Sequence, residues 1–408
     1  MKKILVACFL ALTAQAVLCL PGFGAGFALY DFGARGNALG GAMTGKADDP
    51  SALAFNPAGI TQISGEAFMT GIGFLMPSAT VFETSTGSAV DQKDHTFVLP
   101  QMYYTRQMGD RLWLGMAVMA RFGLGTDFPE DWFGRYSSYR AMLKSVSVNP
   151  SLAWKVSDRF SVALGVEALW LEFDSRKKVP TPYGDIDLRL LGDDIGYGWN
   201  LGLHFRPDEA TRIGLHYRSE VDLTVSGNVD ACASTLGSDS TGASAGLTLP
   251  EMYMFGISRQ VTPKLNVEAG ALYTRWSSYD SLVINFDKSL YGFLPAEVPS
   301  EKNWNDVWRY QLGIEYRQSP EWTWRVGYTY DQSPIPDARV DYMAPLNDRQ
   351  LYSIGFGYTR GNGTWDFAYT YLVADERRIA ARPLEGIVDS GTRDLDTHIF
   401  MLSYTIRF

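Results

Sequence analysis

The sequence contains few of the residue types that most often carry enzyme or metal chemistry. Its 408 residues include three cysteines and four histidines. Cys8 and Cys19 lie near the N-terminus, so a chain that lost this segment on export would keep only Cys232 and would form no internal disulfide. The histidines are scattered and show no metal-ligand spacing. These absences argue against a disulfide scaffold and against a zinc or haem site, and we expect no cofactor.

Long apolar runs and excess positive charge are also missing. Beyond the N-terminus there is no run of about 18 apolar residues, the length that a helix needs to cross a bilayer. A net charge of -9 argues against a nucleic-acid partner, which would require a basic face. The chain is nevertheless 46% hydrophobic and 13% aromatic, which is too apolar for a disordered protein.

The first segment has the layout of a secretory signal. Lys2 and Lys3 precede an apolar stretch over residues 4–20, and small residues follow it. We therefore predict a signal peptide over residues 1–24 and a mature chain that starts at Ala25.

After about residue 64, large apolar residues alternate with small or polar ones, and this period of two is typical of β-strands. Trp322, Trp324, Val326 and Tyr328, for example, are separated by Thr, Arg and Gly. The pattern predicts fourteen strands, at 65–83, 95–108, 111–121, 144–155, 159–173, 195–206, 211–227, 248–260, 264–278, 304–317, 321–331, 348–360, 364–376 and 396–408.

The connections between these strands alternate between tight turns, such as 156–158, and long loops, such as 174–194 and 228–247. A soluble sandwich also has alternating strands, but fourteen in series with one short and one long side favour an antiparallel transmembrane β-barrel over residues 64–408. Its bulky face would contact the bilayer and lipopolysaccharide in the outer membrane of a Gram-negative bacterium. The terminal Phe408 resembles the signal that the outer-membrane assembly machinery reads.

A barrel of this size needs a plug or is an open pore. Fourteen strands tilted by about 40° give a backbone diameter of roughly 28 Å, which wall side chains alone do not fill. Residues 25–63 precede the first strand, are rich in Gly, Ala, Asn and Asp, and lack sustained alternation. We predict that this segment is an N-terminal hatch inside the lumen.

The predicted hatch carries the motif Asn56, Pro57, Ala58 within the stretch GARGNALGGAMTGKADDPSALAFNPAG, and Phe27 lies close to the mature start. These features resemble the hatch of the FadL/TodX family of outer-membrane channels for hydrophobic compounds. The resemblance implies a non-enzymatic channel for passive uptake of long-chain fatty acids, or of monoaromatic hydrocarbons. It also implies that Asn56, Pro57 and Ala58 couple the hatch shape to ligand passage and that Phe27 reaches an inner ligand site.

Two predicted external loops are unusually apolar, and by the family resemblance we expect them to form a capture groove. Alternatively, they pack on each other and cap the barrel. The expected groove residues are Phe122, Leu124, Phe128, Trp132, Phe133, Leu282, Ile284, Phe286, Leu290 and Phe293.

The family also suggests a lateral opening in the wall, which we place at the second and third strands. Pro100 has no N–H for a ladder, and Gly115 would permit a bend. Arg206 and Arg212 are candidates for attracting a fatty-acid carboxylate, although they would otherwise pair with groups of the lumen or plug.

Two rival functions come from other classes. An outer-membrane esterase or lipase would need a Ser-His-acid grouping, and none stands out by spacing. The second rival, a general diffusion porin, would conduct ions freely, whereas a plugged channel should show almost no ion conductance.

Overall fold

The structure is a computed structural model that describes residues 26–408; the predicted signal peptide and Ala25 lie outside this range. Fourteen of its strands form one closed antiparallel barrel, which closes where β1 pairs with β21 from Ala67↔Arg407 to Glu83↔Ser390. The fourteen-stranded barrel is therefore confirmed. In chain order, the wall strands are β1 (Glu66–Glu83), β3 (Phe97–Gln107), β4 (Leu112–Met119), β6 (Arg140–Lys155), β7 (Phe160–Val179), β8 (Ile186–Phe205), β9 (Thr211–Arg218), β12 (Met252–Thr262), β13 (Leu265–Thr274), β16 (Val307–Arg317), β17 (Trp322–Asp331), β18 (Arg349–Arg360), β19 (Gly363–Ala374) and β21 (Ser390–Arg407).

Seven further strands lie on the side of the long connections. They are β2 (Ala89–Asp91), β5 (Gly123–Asp127), β10 (Val221–Ala233), β11 (Gly237–Leu249), β14 (Ser281–Phe286), β15 (Glu297–Glu301) and β20 (Arg377–Ile379). No helix among residues 26–408 is long and apolar enough to cross a membrane.

The two faces of the wall have the polarity of an outer-membrane barrel. Trp324 and Val326 are exposed on the outside, whereas the intervening Arg325 is buried in the lumen and pairs with Asp366 at 2.7 Å. Because charged side chains are buried only when they are paired, this pattern matches a lipid-facing exterior and a filled interior.

Residues 26–63 occupy that interior. They form two short helices, α1 (Ala34–Ala38) and α2 (Ala52–Phe55), and a 3-10 turn over Pro57–Gln62, and nearly all of their side chains are buried. The wall has glycines at positions where it contacts the backbone of the hatch. A Cβ at Gly214 would overlap the carbonyl of Thr44, and a Cβ at Gly327 would overlap the backbone at Gly40. The sequence of the wall is thus fitted to a plug that approaches it at backbone contact distance.

Two of the predicted long loops are wrong. Residues 174–194 are mostly a continuation of β7 and β8, which remain paired up to Val179↔Ile186, and 228–247 fall largely within the β10–β11 hairpin. The outward-facing bulky residues become fewer there because the strands extend beyond the bilayer, where no lipid selects bulky residues on the outer face.

Candidate functional site

Phe27 lies in an aromatic cluster in the upper lumen. Its ring centroid is 4.6 Å from that of Trp276, 5.6 Å from that of Trp304 and 5.6 Å from that of Tyr279. The ring also forms part of the wall of an apolar cavity of about 60 Å³, together with side chains such as Leu124. A cavity this small lies well below the range of about 300–1,000 Å³ that is typical of small-molecule sites, so a ligand could enter only if a side chain moved.

One ion pair lies at the edge of this inner cavity. The ammonium of Lys302 is 2.7 Å from the carboxylate of Asp341. Burial alone would lower the pKa of Lys302, but the carboxylate of Asp341, together with Tyr279 and Glu385, raises the pKa to about 12. Lys302 is therefore a neutralised cation rather than a free one.

A larger apolar groove, of about 400 Å³, lies further outward and shares residues with the inner cavity. One side is the inward face of β7 and β8, including Phe173 and Leu190; the other is the β14–β15 hairpin, including Leu282 and Ile284. Because these four residues line both spaces, the outer groove adjoins the inner cavity beside Phe27. Lys302 and Asp341 line both spaces as well.

Lys177 also lines the outer groove. It lies on β7 above the membrane-spanning part, and within residues 26–408 it has neither an ion pair nor a side-chain hydrogen bond. Burial, together with the like charge of Lys302, lowers the pKa of Lys177. An unpaired cation in an apolar groove is a favourable contact for an anionic head group.

The structure divides the predicted groove residues into two sets. Leu124, Leu282, Ile284 and Phe286 line the inner cavity or the outer groove. The others pack elsewhere. Phe122 lies 6.0 Å from Phe27, Phe128 stacks on Trp132 at 4.2 Å, and Phe133 packs against Tyr342. Leu290 is fully buried in the connection between β14 and β15, and Phe293 is exposed beside Tyr291.

The segment 122–143 thus packs mainly on itself, on Phe27 and on Tyr342, whereas the alternative interpretation had the two apolar loops pack on each other. The second side of the groove comes instead from β7 and β8. The sequence signal for it was the inward alternation of Ile186, Leu188 and Leu190, in a region that we had assigned to a loop.

Asn56 connects the hatch to the wall. Its amide nitrogen donates to the carbonyl of Thr44 at 3.2 Å and to that of Leu203 in β8 at 3.0 Å, and its side-chain oxygen accepts from the amide of Ala58 at 3.2 Å. The side chain is fully buried, as are Pro57 and Ala58, which open the 3-10 turn. A Cβ at Gly202 would come within 2.7 Å of the Asn56 oxygen, so this glycine is needed for the contact.

The wall is interrupted between β3 and β4. β3 pairs with β1 as far as Leu75↔Phe97, but its pairing with β4 ends at Met102↔Val118. Pro100 therefore borders β1 on one side and an unpaired edge on the other. It lies seven residues above the end of β3, roughly 18 Å along the barrel axis, which is inside an apolar band of about 25 Å.

The cause of the interruption lies at Arg121 and Phe122 rather than at Gly115. The ladder is continuous at Gly115, where a Cβ would overlap Leu53 of the hatch, so the glycine admits α2 instead of producing a bend. Between β4 and β5 the chain pairs with the hatch: Leu29 donates to the carbonyl of Arg121 at 2.7 Å. The ring of Phe97 covers the opening from the side of β3, against Gly125.

Arg206 and Arg212 lie at the periplasmic end, next to the turn that joins β8 and β9. Arg212 donates to the side-chain oxygen of Gln62 in the hatch at 3.0 Å. On the same inner face, His204 contacts the carbonyl of Gly45 and His216 that of Phe55, each at 3.0 Å. Arg212, His204 and His216 thus hold the hatch, and both arginines lie at the opposite end of the barrel from the outer groove.

The lower lumen is filled by ion pairs between hatch and wall. Arg35 contacts Asp48 at 2.6 Å and Glu315 at 3.0 Å, and Lys46 contacts the same Glu315. An apolar ligand passing straight through would have to separate these buried charges, which is costly.

The apolar exterior, the plugged polar lumen and the apolar path that begins outside define an outer-membrane transport barrel. Comparison with known proteins agrees. A family described as "Outer membrane protein transport protein (OMPP1/FadL/TodX)" matches residues 16–408. The chain belongs to this family, which comprises outer-membrane transporters of fatty acids and aromatic hydrocarbons.

Among its relatives is the long-chain fatty acid transport protein of Escherichia coli O6:H1, which is 26% identical over 85% of this chain and 86% of that protein. Outer membrane protein P1 of Haemophilus influenzae is 27% identical over 95% and 94%.

Two solved structures share the fold. A Pseudomonas aeruginosa FadL homologue has a TM-score of 0.84 at 19% identity, covering 94% of this chain and all of that one. The Pseudomonas putida toluene transporter TodX has a TM-score of 0.75 at 17% identity, covering 95% and 99%.

Proposed function

We propose that this protein takes up long-chain fatty acids passively, by capture in the outer groove, transfer to the inner cavity beside Phe27, and lateral exit between β3 and β4. The observation that carries the proposal is that the outer groove, which holds Lys177 and Ile284, adjoins the inner cavity beside Phe27 through shared and mainly apolar side chains. Movement along such a path is driven by removal of the acyl chain from water, about 0.8 kcal/mol for each buried CH₂.

Lys177 supports a fatty acid as the substrate. Its ammonium has no acidic partner within residues 26–408, and it lies among apolar side chains such as Val179 and Leu188. A carboxylate at Lys177 would leave the acyl chain lying along Leu190 and Ile284 toward the inner cavity. We expect this lysine, and not Arg206 or Arg212, to receive the head group.

The inner cavity has to expand for transfer. Phe27 is the side chain best placed to move because it lies on the hatch rather than on the wall. Its backbone carbonyl accepts a hydrogen bond from Gly123, directly after the interruption in the wall. Displacement of the ring by an acyl chain would therefore act on the segment 120–123 that borders the opening.

Lateral exit follows from the contrast between the two routes. Below the cavity are the buried ion pairs around Glu315, whereas the opening beside Pro100 is covered by the apolar side chain of Phe97. An acyl chain can displace a phenyl ring with little loss of solvation, but it cannot replace the partners of buried charges.

Monoaromatic hydrocarbons are the second candidate substrate. The inner cavity is bordered by the rings of Phe27, Tyr279 and Trp304, which suit a small neutral aromatic molecule. A neutral hydrocarbon would not require Lys177, so the effect of replacing this lysine distinguishes hydrocarbon uptake from fatty-acid uptake.

An esterase has less support. His95 contacts Asp127, His398 contacts Tyr369, and His204 and His216 bind hatch carbonyls. None of these contacts joins a histidine to a serine nucleophile.

The direct test is uptake by cells that lack their own channel for these compounds and express this protein. We expect accumulation of labelled palmitate above the empty-vector level, little effect on toluene, and palmitate-like acids among the lipids that co-purify. Uptake of toluene alone would favour the second candidate, and hydrolysis of a nitrophenyl ester by the pure protein would favour the esterase.

A further inference from the structure

Three arginines lie side by side on adjacent strands of the wall. Arg140 of β6 is directly opposite Arg176 of β7, and Arg176 is directly opposite Arg189 of β8. Like charges at directly opposed positions destabilise a sheet. A row of three arginines is therefore stable only if negatively charged groups lie close to it.

The row faces outward. The neighbouring positions Ser175 and Leu190, which are opposite each other, line the groove inside the barrel. Because successive residues of a strand point to opposite faces, the three arginines project from the outer surface.

The height of the row is that of the outer leaflet's head groups and inner sugars. The last level at which the outer face is apolar on all three strands is that of Val146, Trp170 and Ile195, which are mutually opposite. Ile195 is 51% exposed, and Leu191, which is nearer the arginines, is 38% exposed. The arginines lie six residues further along, roughly 15 Å above that level when strand tilt is included. A lipid-facing position this high contacts the polar part of an outer-leaflet glycolipid.

The protein itself neutralises the row incompletely. All three guanidinium groups converge on Asp174, with Nε to carboxylate distances of 3.7 Å for Arg140, 3.6 Å for Arg176 and 3.3 Å for Arg189. Arg140 has a second partner, Asp127, at 2.6 Å. Arg176 and Arg189 have no other acidic partner within the described residues 26–408, and the Nε atoms of Arg140 and Arg176 are buried without a hydrogen-bond acceptor.

We infer that Arg140, Arg176 and Arg189 form a binding site for the phosphate and carboxylate groups of lipopolysaccharide. Guanidinium groups bind such anions by paired hydrogen bonds, and a row of three would take the place of the divalent cations that otherwise bridge neighbouring lipopolysaccharide molecules. The site lies on the outer side of the same β7–β8 hairpin whose inner face forms the groove, and a bound glycolipid would hold that hairpin in place.

The experiment measures binding of phosphorylated rough lipopolysaccharide to the detergent-solubilised full chain by native mass spectrometry, in EDTA so that divalent cations contribute nothing. The variant is R176Q/R189Q, and the matched control is R360Q, which removes an exposed arginine at the periplasmic end. We expect the double variant to bind at least about fivefold more weakly, since one cation near an anionic surface contributes on the order of a fivefold change, and R360Q to bind as the wild type does.

A second measurement needs no variant. The wild type should bind enzymatically dephosphorylated lipopolysaccharide more weakly than the phosphorylated form, and millimolar inorganic phosphate should not displace the bound glycolipid. Equal binding by the double variant and the wild type, indifference to dephosphorylation, or complete displacement by inorganic phosphate would each overturn the inference.

Discussion

The carbonyl oxygen of Phe27 accepts a hydrogen bond from the amide of Gly123 at 2.8 Å, while the ring of Phe27 borders the inner apolar cavity. One residue of the hatch therefore touches both the proposed ligand site and the edge of the wall interruption. We propose that a ligand that displaces the ring strains this backbone link to the segment between β4 and β5. The coupling between capture and exit in our account depends on this relationship.

Replacing Phe27 by alanine separates binding from passage. The variant keeps the backbone link but removes the ring, so a fatty acid should occupy the enlarged cavity without displacing a side chain. We expect tighter binding of a fluorescent long-chain acid in detergent and slower uptake in cells. The free energy of unfolding should fall by about 3–5 kcal/mol because a buried phenyl ring is lost. Phe27→Leu is the control that keeps most of the bulk. Uptake by Phe27→Ala at the wild-type rate would show that the ring is not part of the gate.

Replacing Asn56 by alanine should loosen the hatch without opening the barrel wall. The change removes the side-chain partner of the buried carbonyl of Thr44, of the part-buried carbonyl of Leu203 and of the amide of Ala58. A buried group that is left unsatisfied costs about 1–3 kcal/mol. We expect faster hydrogen exchange over residues 26–63 and a rise in single-channel conductance, while the wall strands keep their protection. Asn362→Ala, in an exposed periplasmic turn, is the control. Unchanged exchange in the hatch would contradict the role given to Asn56.

Replacing Lys177 by methionine should discriminate between charged and neutral ligands. The apolar stem is retained and only the ammonium is lost, so the affinity for a fatty acid should fall by about tenfold, as for loss of a charge-assisted hydrogen bond of about 1.5 kcal/mol. Binding of the matching fatty alcohol should be unchanged. Isothermal titration of both ligands measures the difference.

The matched control for that variant is Lys178→Met, which removes the neighbouring charge on the opposite face of β7. An equal loss of fatty-acid affinity in the two variants, or an equal loss for acid and alcohol, would show that Lys177 does not bind the carboxylate.

The barrel could be predicted from the sequence because lipid imposes a strict pattern on the wall. Trp324 and Val326 are bulky because they face lipid, and Arg325 between them faces the lumen and pairs with acidic residues there. The positions of the strands and turns can therefore be predicted from this alternation. Where β7 and β8 leave the membrane this selection ends. Arg189 and Asp193 then look like loop residues although they are in register, and the groove side that carries Lys177 and Leu190 was missed for this reason.

The wall interruption could be predicted only in part. Pro100 indicated an edge without a ladder donor, and β3 has no pairing with β4 above Met102; a lateral opening at this edge stays a prediction. The cause of the interruption, however, is the pairing of Leu29 with Arg121, two residues that are far apart in the chain. Local sequence contains no signal for such a contact. The predicted bend at Gly115 is wrong for a similar reason, because this glycine makes room for Leu53 of the hatch.

The route of the ligand is the central claim, and photolabelling tests it most directly. A long-chain fatty acid with a diazirine at its tail would be allowed to bind and pass in outer-membrane vesicles, and labelled residues would be identified by mass spectrometry. Our account predicts labels at Leu190 or Ile284, at Phe27 and at Phe97, with none around Lys46 and Glu315. Labels at Lys46 and Glu315 with Phe97 unlabelled would show that the ligand passes through the lower lumen and would contradict lateral exit.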